Sequence, residues 1–479
     1  GKIDWQRARK DKDIYYAKIN SYNISLKSSS YYIDSVLFYS SYFDYPIMGE
    51  LTEKILAFRG YTKVNYPVFE SYSKRLYIKN VNSNTNLDYE GGFTIRGRNL
   101  NGSGTIDNLA KLKFSYNDKE FLVAESINFL INDEGVISNK AKIKFSIGSD
   151  SISHPATNLV FSENTKTLTL SREEDGVFSA PFYNSYHKID MYVETLNWKS
   201  GEHTINFSAP KGTKSIKTAQ FSSLNFFDVK SYDNLNTDRG NILVSIKRYA
   251  TIFGSNTFPV NNLAKYLVKS INDLQFMLFN LAEKGFVNYD SERKIITCNE
   301  KLFNYIENRS GEKDYDIMII NSDAETNAKL SLSSLDLNIF GVERVVLSLK
   351  NKVWIKPGGR RLTLKKNRDL NFDGLITAGK TQYYGFDFSF IYKDFKLNLP
   401  KCDSMFIWAN YKESKRKGKL IRLQSKIETL EGYVQIDDPS NKSGLDTSHH
   451  EYPILNSITK TYVFYDDPFS PINTLDKKF

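Results

Sequence analysis

Apolar and polar residues alternate one by one along much of the N-terminal half of the chain. The segments Lys111–Phe114 and Ala141–Ile147 show this alternation strictly, and Ser126–Ile131 shows it as far as Phe129. Because neighbouring side chains of a strand point to opposite faces of its sheet, a period of two indicates strands with one buried and one solvated face. Turn residues (Asn, Asp and Gly) separate these segments. Residues 1–250 are therefore predicted to form an N-terminal β-rich region.

The spacing of these strands leaves more than one β architecture open. The strands could form antiparallel sheets, or they could stack as an irregular β-solenoid or as layers around a β-groove. No exact repeat occurs in the chain, which argues against a regular solenoid of fixed period. We therefore predict a mainly β fold of one of these kinds.

A different pattern occupies residues 251–312. Apolar residues recur at helical spacing in Ile271–Lys284, Ser270 before them can cap a helix, and Gly285 can end it. A shorter helix is predicted on either side, and two alternating segments before the last helix predict a β-hairpin. This order of elements resembles a winged-helix module, so we predict a small winged-helix-like α+β insert.

The composition of the main helix of this insert argues against DNA recognition. A helix that reads a DNA groove presents Arg, Lys, Asn or Gln to bases and phosphates. The segment Ile271–Lys284 instead has a net charge of −1, and its middle is the apolar run Phe276–Phe279. We therefore expect a packing module, and no nucleic-acid partner.

Alternating strands return in residues 313–479, and the positive charge of the protein lies among them. The chain has 479 residues and a formal charge of +10. Residues 351–420 contain 16 Lys and Arg against 6 Asp and Glu, which accounts for the whole excess, because the other residues carry 49 of each kind of charge.

The basic residues of this segment have two interpretations. Lysines on sheet edges can simply prevent edge-to-edge association. The alternative is a local anion-binding surface, which would suit an anionic glycan or a lipid head group. The residues predicted to form this surface are Arg360, Arg361, Lys365, Lys366, Arg368, Lys412, Lys415, Arg416, Lys417 and Lys419.

Motifs that could carry chemistry fail in their context. Gly374–Thr381 matches the pattern of a phosphate-binding loop, which requires a buried strand before it and a helix after it. Polar residues precede this match, and the alternating aromatic segment Gln382–Phe390 follows it. The five His residues lack the short spacing of metal ligands, and we expect His154 and His187 to be hydrogen-bonded structural residues. We predict no catalytic residues, no cofactor and no metal site.

Composition excludes several classes of protein. An apolar fraction of 40% and a charged fraction of 25% are typical of a folded chain and not of a disordered one. With two cysteines the protein is not a disulfide scaffold, and whether Cys298 and Cys402 pair is left open. No run of about 18 uncharged apolar residues occurs, so no membrane-spanning helix is predicted.

Four segments carry a resemblance to a known family, and they are Asp88–Gly104, Asn184–Tyr192, Leu281–Asp290 and Ile436–Gly444. Together they resemble an uncharacterised family of very large cell-envelope proteins of Bacteroidota-type bacteria. The resemblance implies an extracytoplasmic, β-rich protein, an envelope protein as a further kind of partner, and a parent chain longer than this one. The start at Gly1 without Met agrees with a fragment of a longer chain. The resemblance implies no activity.

We therefore expect a non-catalytic structural or binding scaffold of the bacterial cell envelope, with an anion-binding surface in residues 351–420. Two alternatives stay open. One is a polysaccharide-active enzyme built on a β-helix or β-sandwich, and the other is a β-groove that carries lipid. An apolar concave face would support the lipid carrier, and a tightly packed interior would argue against it.

Overall fold

A computed structural model describes residues 1–8, 10–54, 65–81, 86–173, 176–208, 218–237, 240–410, 420–460 and 462–464. Within these ranges the chain forms thirty-six strands and five α-helices. The prediction of a mainly β fold is confirmed. None of the helices in this described part is long and apolar enough to cross a membrane.

The strands are numbered in chain order. Those before the helices are β1 (Lys2–Asp4), β2 (Tyr16–Lys18), β3 (Ser30–Tyr39), β4 (Ile47–Lys54), β5 (Val68–Ser71), β6 (Leu76–Ile78), β7 (Leu87–Arg96), β8 (Asn99–Ser103), β9 (Ala110–Tyr116), β10 (Lys119–Ser126), β11 (Asn128–Asn132), β12 (Gly135–Ile147), β13 (Asp150–Ser162), β14 (Thr167–Ser171), β15 (Phe182–Asn184), β16 (Ile189–Tyr192), β17 (Thr195–Lys199), β18 (Thr204–Ser208) and β19 (Ala219–Ser223).

The remaining strands lie among and after the helices. They are β20 (Asn236–Thr237), β21 (Gly240–Asn241), β22 (Thr257–Pro259), β23 (Val287–Asp290), β24 (Ile295–Cys298), β25 (Ile319–Ser322), β26 (Thr326–Ser331), β27 (Leu337–Phe340), β28 (Val345–Ser348), β29 (Val353–Pro357), β30 (Arg361–Leu364), β31 (Leu370–Ala378), β32 (Thr381–Ile391), β33 (Lys396–Asn410), β34 (Leu420–Gln435), β35 (Ile454–Ser457) and β36 (Tyr462–Phe464). The helices are α1 (Val229–Asp233), α2 (Ile242–Phe253), α3 (Val260–Leu267), α4 (Ile271–Glu283) and α5 (Glu300–Ser310).

The chain divides into two compact units, which are described separately. Unit 1 consists of Gly1–Ala180, Thr195–Glu202 and Tyr289–Ile295, and unit 2 consists of Pro181–Glu194, His203–Asn288 and Ile296–Phe479. This division cuts across the predicted stretches 1–250, 251–312 and 313–479. A compact unit is defined by contacts between distant segments, which changes of pattern along the chain do not reveal.

Unit 1 is an antiparallel sheet. Strands β1 to β5 pair in chain order, and β12, β13, β14 and β17 pair in series at the other end. Between β7 and β12 two pairs of strands lie side by side, β8 with β11 and β9 with β10. Of the predicted alternatives, antiparallel sheets describe this unit, whereas the coils of a solenoid would pair in parallel.

The inward face of the unit 1 sheet is filled with aromatic rings. The Phe114 ring lies 5.3 Å from that of Phe161 and 6.3 Å from that of Trp198, although their strands are not neighbours. The sheet therefore curls over its own inward face. Phe114, Phe161 and Trp198 are all fully buried, so this interior is packed with side chains.

The sheet of unit 2 is antiparallel as well. Strand β16 pairs with β15 and β19, and β19 pairs with β25. A longer series runs from β18 through β26, β27, β30, β31, β32 and β33 to β34. The segment Gly374–Thr381, which matched a phosphate-binding loop, forms the hairpin between β31 and β32, and Ala378 lies opposite Thr381.

The larger helices alternate with short strands in the middle of the chain. After α2 come β22, α3, α4, β23, β24 and α5, and the three strands form a small sheet in the order β22, β24, β23. The Ser270 side chain caps α4 by accepting a hydrogen bond of 3.1 Å from the N–H of Asp273, as predicted. The helices begin earlier than expected, because α1 and most of α2 lie before residue 251. The buried side chains Leu243 and Ile246 stabilise α2 against other parts of unit 2.

Candidate functional site

The residues predicted to bind anions lie in different environments. Arg360 pairs with Asp323, and Lys365 donates to Asp336 over 2.7 Å. Arg361 is exposed at the start of β30, and the Lys366 ammonium lies 5.3 Å from the centre of the Tyr186 ring. Arg368 lines a pocket. The remaining predicted residues, Lys412, Lys415, Arg416, Lys417 and Lys419, lie outside the described residues.

This pocket lies within unit 2 and has a volume of about 220 Å³. It is lined by Lys188, Leu224, Asn225, Glu300, Asn304, Lys313, Asp314, Arg368, Tyr392, Pro439 and Lys442. Four of these side chains are cationic and two are carboxylates. The lining therefore carries an excess of positive charge.

Turns, rather than strands, supply the cations. Lys188 lies in the turn between β15 and β16 with φ 58°, and Arg368 lies in the turn before β31 with φ 76°. The N–H of Leu224, just after β19, donates to the Lys188 carbonyl over 3.0 Å, which joins two of the lining segments. Lys442 lies in a turn after β34. Side chains from four distant parts of the sequence thus meet at one place.

A buried carboxylate positions Arg368. Asp316 is 2% exposed and lies 3.7 Å from the Arg368 guanidinium, while the hydroxyls of Ser223 and Tyr392 each donate to it over 2.6 Å. The guanidinium carbon also lies 3.7 Å from the centre of the Tyr392 ring, a cation–π geometry. Burial and the neighbouring Asp316 raise the pKa of Tyr392, so its hydroxyl remains a donor.

The second inner carboxylate, Asp314, holds the turn that carries Lys442. Its oxygens accept hydrogen bonds from the backbone N–H groups of Lys442, over 2.5 Å, and Ser443, over 3.1 Å. The Lys442 ammonium bonds to the Pro439 carbonyl. Burial lowers the pKa of Lys442, and the nearby Asp314 and Asp316 only partly oppose this effect.

The other two lysines of the pocket, Lys313 and Lys188, have fewer side-chain partners. The Lys313 ammonium donates to the side-chain carbonyl of Asn304 over 2.7 Å. Lys188 makes no side-chain hydrogen bond or ion pair with any residue that the structure describes. Its ammonium is therefore the cation of the pocket with the most freedom to meet a ligand.

Sequence reasoning found only one of the four pocket cations. Arg368 belongs to the basic segment 351–420, whereas Lys188, Lys313 and Lys442 lie outside it. Two of these three do fall in segments that carry the family resemblance, Lys188 in Asn184–Tyr192 and Lys442 in Ile436–Gly444. A charge count along the chain cannot detect cations that converge from separate turns.

Other candidates for chemistry have structural partners. In the described ranges no cluster of three or more His, Cys, Asp or Glu could hold a metal ion. The buried Asp437, from an Asp-Asp-Pro turn, accepts hydrogen bonds from the amides of Asn351 (2.6 Å) and Asn441 (3.1 Å). Cys298 and Cys402, whose pairing was left open, are both free and buried.

The comparisons with known proteins add no relative to this picture. The chain matches no protein-family model, no curated protein and no solved structure.

Proposed function

We propose that the protein is a non-catalytic binding scaffold of the cell envelope, and that the pocket of unit 2 holds a small anionic group. The observation that carries this proposal is the convergence of Lys188, Lys313, Arg368 and Lys442 on one pocket. The inner carboxylates do not face a ligand freely, because Asp314 and Asp316 already accept hydrogen bonds from protein groups. Positive charge thus remains available on the pocket side.

The chemistry of the pocket suits a carboxylate or phosphate group. Arginine presents planar paired donors to such groups, and lysine adds a compact charge. Anionic glycans and lipid head groups both contain carboxylate or phosphate groups. The envelope location is supported by the family resemblance alone, and fractionation of cells that make the parent protein tests it.

The two alternative functions have weaker support. A polysaccharide-cleaving enzyme needs a carboxylate pair free to exchange protons, and the pocket contains Glu300 and Asp314. Both oxygens of Asp314 are held by backbone N–H groups, which favours a structural role for it. A lipid groove needs an open apolar face, whereas the inward face of unit 1 is filled with rings.

Titration calorimetry with inorganic phosphate and galacturonate tests the proposal, with glucose as the uncharged comparison. We expect saturable binding of the anions that weakens with salt, and none of glucose. The Lys188→Glu variant should weaken the binding of both anions at least about tenfold, because a cation of the pocket is replaced by an anion. The Glu300→Gln variant should increase the affinity for both anions about twofold to threefold.

The matched control is Arg361→Glu, which reverses an exposed cation of the basic segment outside the pocket. It should leave the affinity unchanged. Equal losses of affinity in Arg361→Glu and Lys188→Glu would instead indicate that the anions bind to the basic surface. Binding of glucose as tight as that of the anions would contradict the proposal. Loss of turnover of an acidic polysaccharide in Glu300→Gln would favour the enzyme.

A further inference from the structure

The winged-helix-like module leaves several large apolar side chains exposed at one corner. We call Ile252, Phe253, Tyr266, Val268 and Ile271 the apolar corner. Ile252 is 70% exposed and Val268 is 73% exposed. Side chains that protrude this far do not line a groove. Single exposed apolar residues are ordinary, but a contiguous group indicates an interaction surface.

Ring contacts bring two members of the corner, Phe253 and Tyr266, together. Tyr249 lies beneath it, with its ring 5.8 Å from that of Phe253 at the end of α2 and 5.2 Å from that of Tyr266 at the end of α3. Val268 lies in the short link from α3 to α4, and Ile271 is the first residue of α4. The last turns of two helices and the link after them thus expose their apolar groups together.

The backbone at Val268 is strained. Val268 ends α3 in the left-handed region, with φ 52° and ψ 49°, and its N–H bonds to the Ala264 and Lys265 carbonyls. Glycine is the usual residue at such a helix end, because a β-branched side chain is crowded there. A strained residue kept with its side chain in solvent points to a role for that side chain in binding.

Three cations lie close to members of the corner along the chain. Arg248 precedes Ile252 by one helical turn, and Lys265 and Lys269 lie on either side of Val268. None of these three cations forms an ion pair within the ranges that the structure describes. The nearest acid along the chain is Asp273, which is hydrogen-bonded to Ser270 over 2.6 Å. The corner is therefore apolar with a positively charged rim.

We propose that the apolar corner docks on the surface of a bilayer that contains anionic lipid. Apolar side chains that protrude from helix ends enter the interfacial layer, and cations around them contact lipid phosphates. The positive rim complements an anionic membrane and repels a second copy of itself. This site is distinct from the pocket and does not depend on an anion bound there.

Flotation of the whole chain with vesicles tests the proposal. Vesicles of phosphatidylcholine with 30% phosphatidylglycerol should carry the protein, and vesicles of phosphatidylcholine alone should carry much less. The double variant Lys265→Gln/Lys269→Gln should lower partitioning about thirtyfold, since each cation near an anionic surface contributes a factor of about five. Added salt should also lower the partitioning to vesicles that contain phosphatidylglycerol.

The Val268→Gly variant separates binding from folding. It removes an apolar side chain, so vesicle partitioning should fall about fivefold. It also relieves the left-handed strain, so the urea midpoint of unfolding should rise rather than fall. Reduced binding by a protein of greater stability cannot be attributed to misfolding.

Phe276→Ser is the matched control, because Phe276 is 82% exposed but lies about 140° around α4 from Ile271. Its partitioning should equal that of the unchanged protein. Three results would overturn the proposal: unchanged partitioning of both corner variants, equal partitioning to the two kinds of vesicle, or a dimer in sedimentation that Val268→Gly abolishes. The last result would assign the corner to a second copy of the chain.

Discussion

The two units differ in where some of their ion pairs lie. On the solvated face of unit 1, lysines and glutamates pair across neighbouring strands, Lys113 with Glu90 over 2.8 Å and Lys142 with Glu125 over 3.5 Å. All four side chains remain partly exposed. Such pairs cancel one another's charge and contribute at most about 1 kcal/mol each.

In unit 2 one close ion pair is buried. Lys301 of α5 donates to Asp190 of β16 over 2.6 Å, and the two side chains are 7% and 4% exposed. Arg368 with Asp316 is nearly as well shielded. Here Asp190 and Asp316 are paired inside the unit, while Lys188 and Lys442 line the pocket. The difference teaches that a charge count along the chain does not show where cations without a carboxylate partner converge, because that depends on where the acids lie in the fold.

The largest effect is expected at the buried pair. Burial by itself would lower the pKa of Lys301, but Asp190 raises it above its ordinary value. Burial also raises the pKa of Asp190, and Lys301 opposes this effect. Lys301→Met leaves the Asp190 carboxylate unpaired and should cost about 3–5 kcal/mol of unfolding free energy, measured with urea. The double variant Lys301→Met/Asp190→Leu should recover most of this loss. If the double variant is no more stable than the single one, the buried charge is not the cause.

The interior of unit 1 should show a different response to acid, because it buries a neutral group. His154 accepts a hydrogen bond at Nδ1 from the Ala156 N–H and lies 2.6 Å through Nε2 from the Ala180 carbonyl. Burial lowers the pKa of His154 to about 3. The unfolded chain binds this proton near pH 6.5, so the stability contribution is complete above that pH and is lost as the pH falls.

The expected loss is about 1.4 kcal/mol of unfolding free energy per pH unit between pH 6.5 and 3. Urea unfolding at several pH values measures it. His154→Gln should remove this one-proton slope, whereas His450→Gln, at an exposed position, should not. An unchanged slope in His154→Gln would show that His154 is protonated in the folded state.

The smallest effect is expected on the solvated face of unit 1. Glu125 pairs with Lys142 and lies 3.9 Å from Lys111. Glu125→Gln should change the unfolding free energy by less than about 1 kcal/mol, and less still at high salt. A loss as large as that of Lys301→Met would mean that exposed and buried pairs do not differ in this protein.

Local patterns predicted the elements well where one face of an element is buried. The alternation in Ala141–Ile147 lies within β12, and the helical spacing after Ser270 corresponds to α4. The start of α2 was not predicted, because residues 1–250 were assigned to a β-rich region. The pocket was not predicted for another reason, since Lys188, Lys313 and Lys442 lie in turns whose spatial proximity is set by strand pairing.

By itself the sequence determined the β character, the helix that follows Ser270 and the location of the excess charge. These follow from side-chain periodicity and composition, which act over a few neighbouring residues. Only the tertiary structure decided which cations meet and which carboxylates neutralise them. Ion pairing depends on distances across strands and turns, and Arg368 and Asp316 acquire their roles only when the sheet of unit 2 brings them within 3.7 Å.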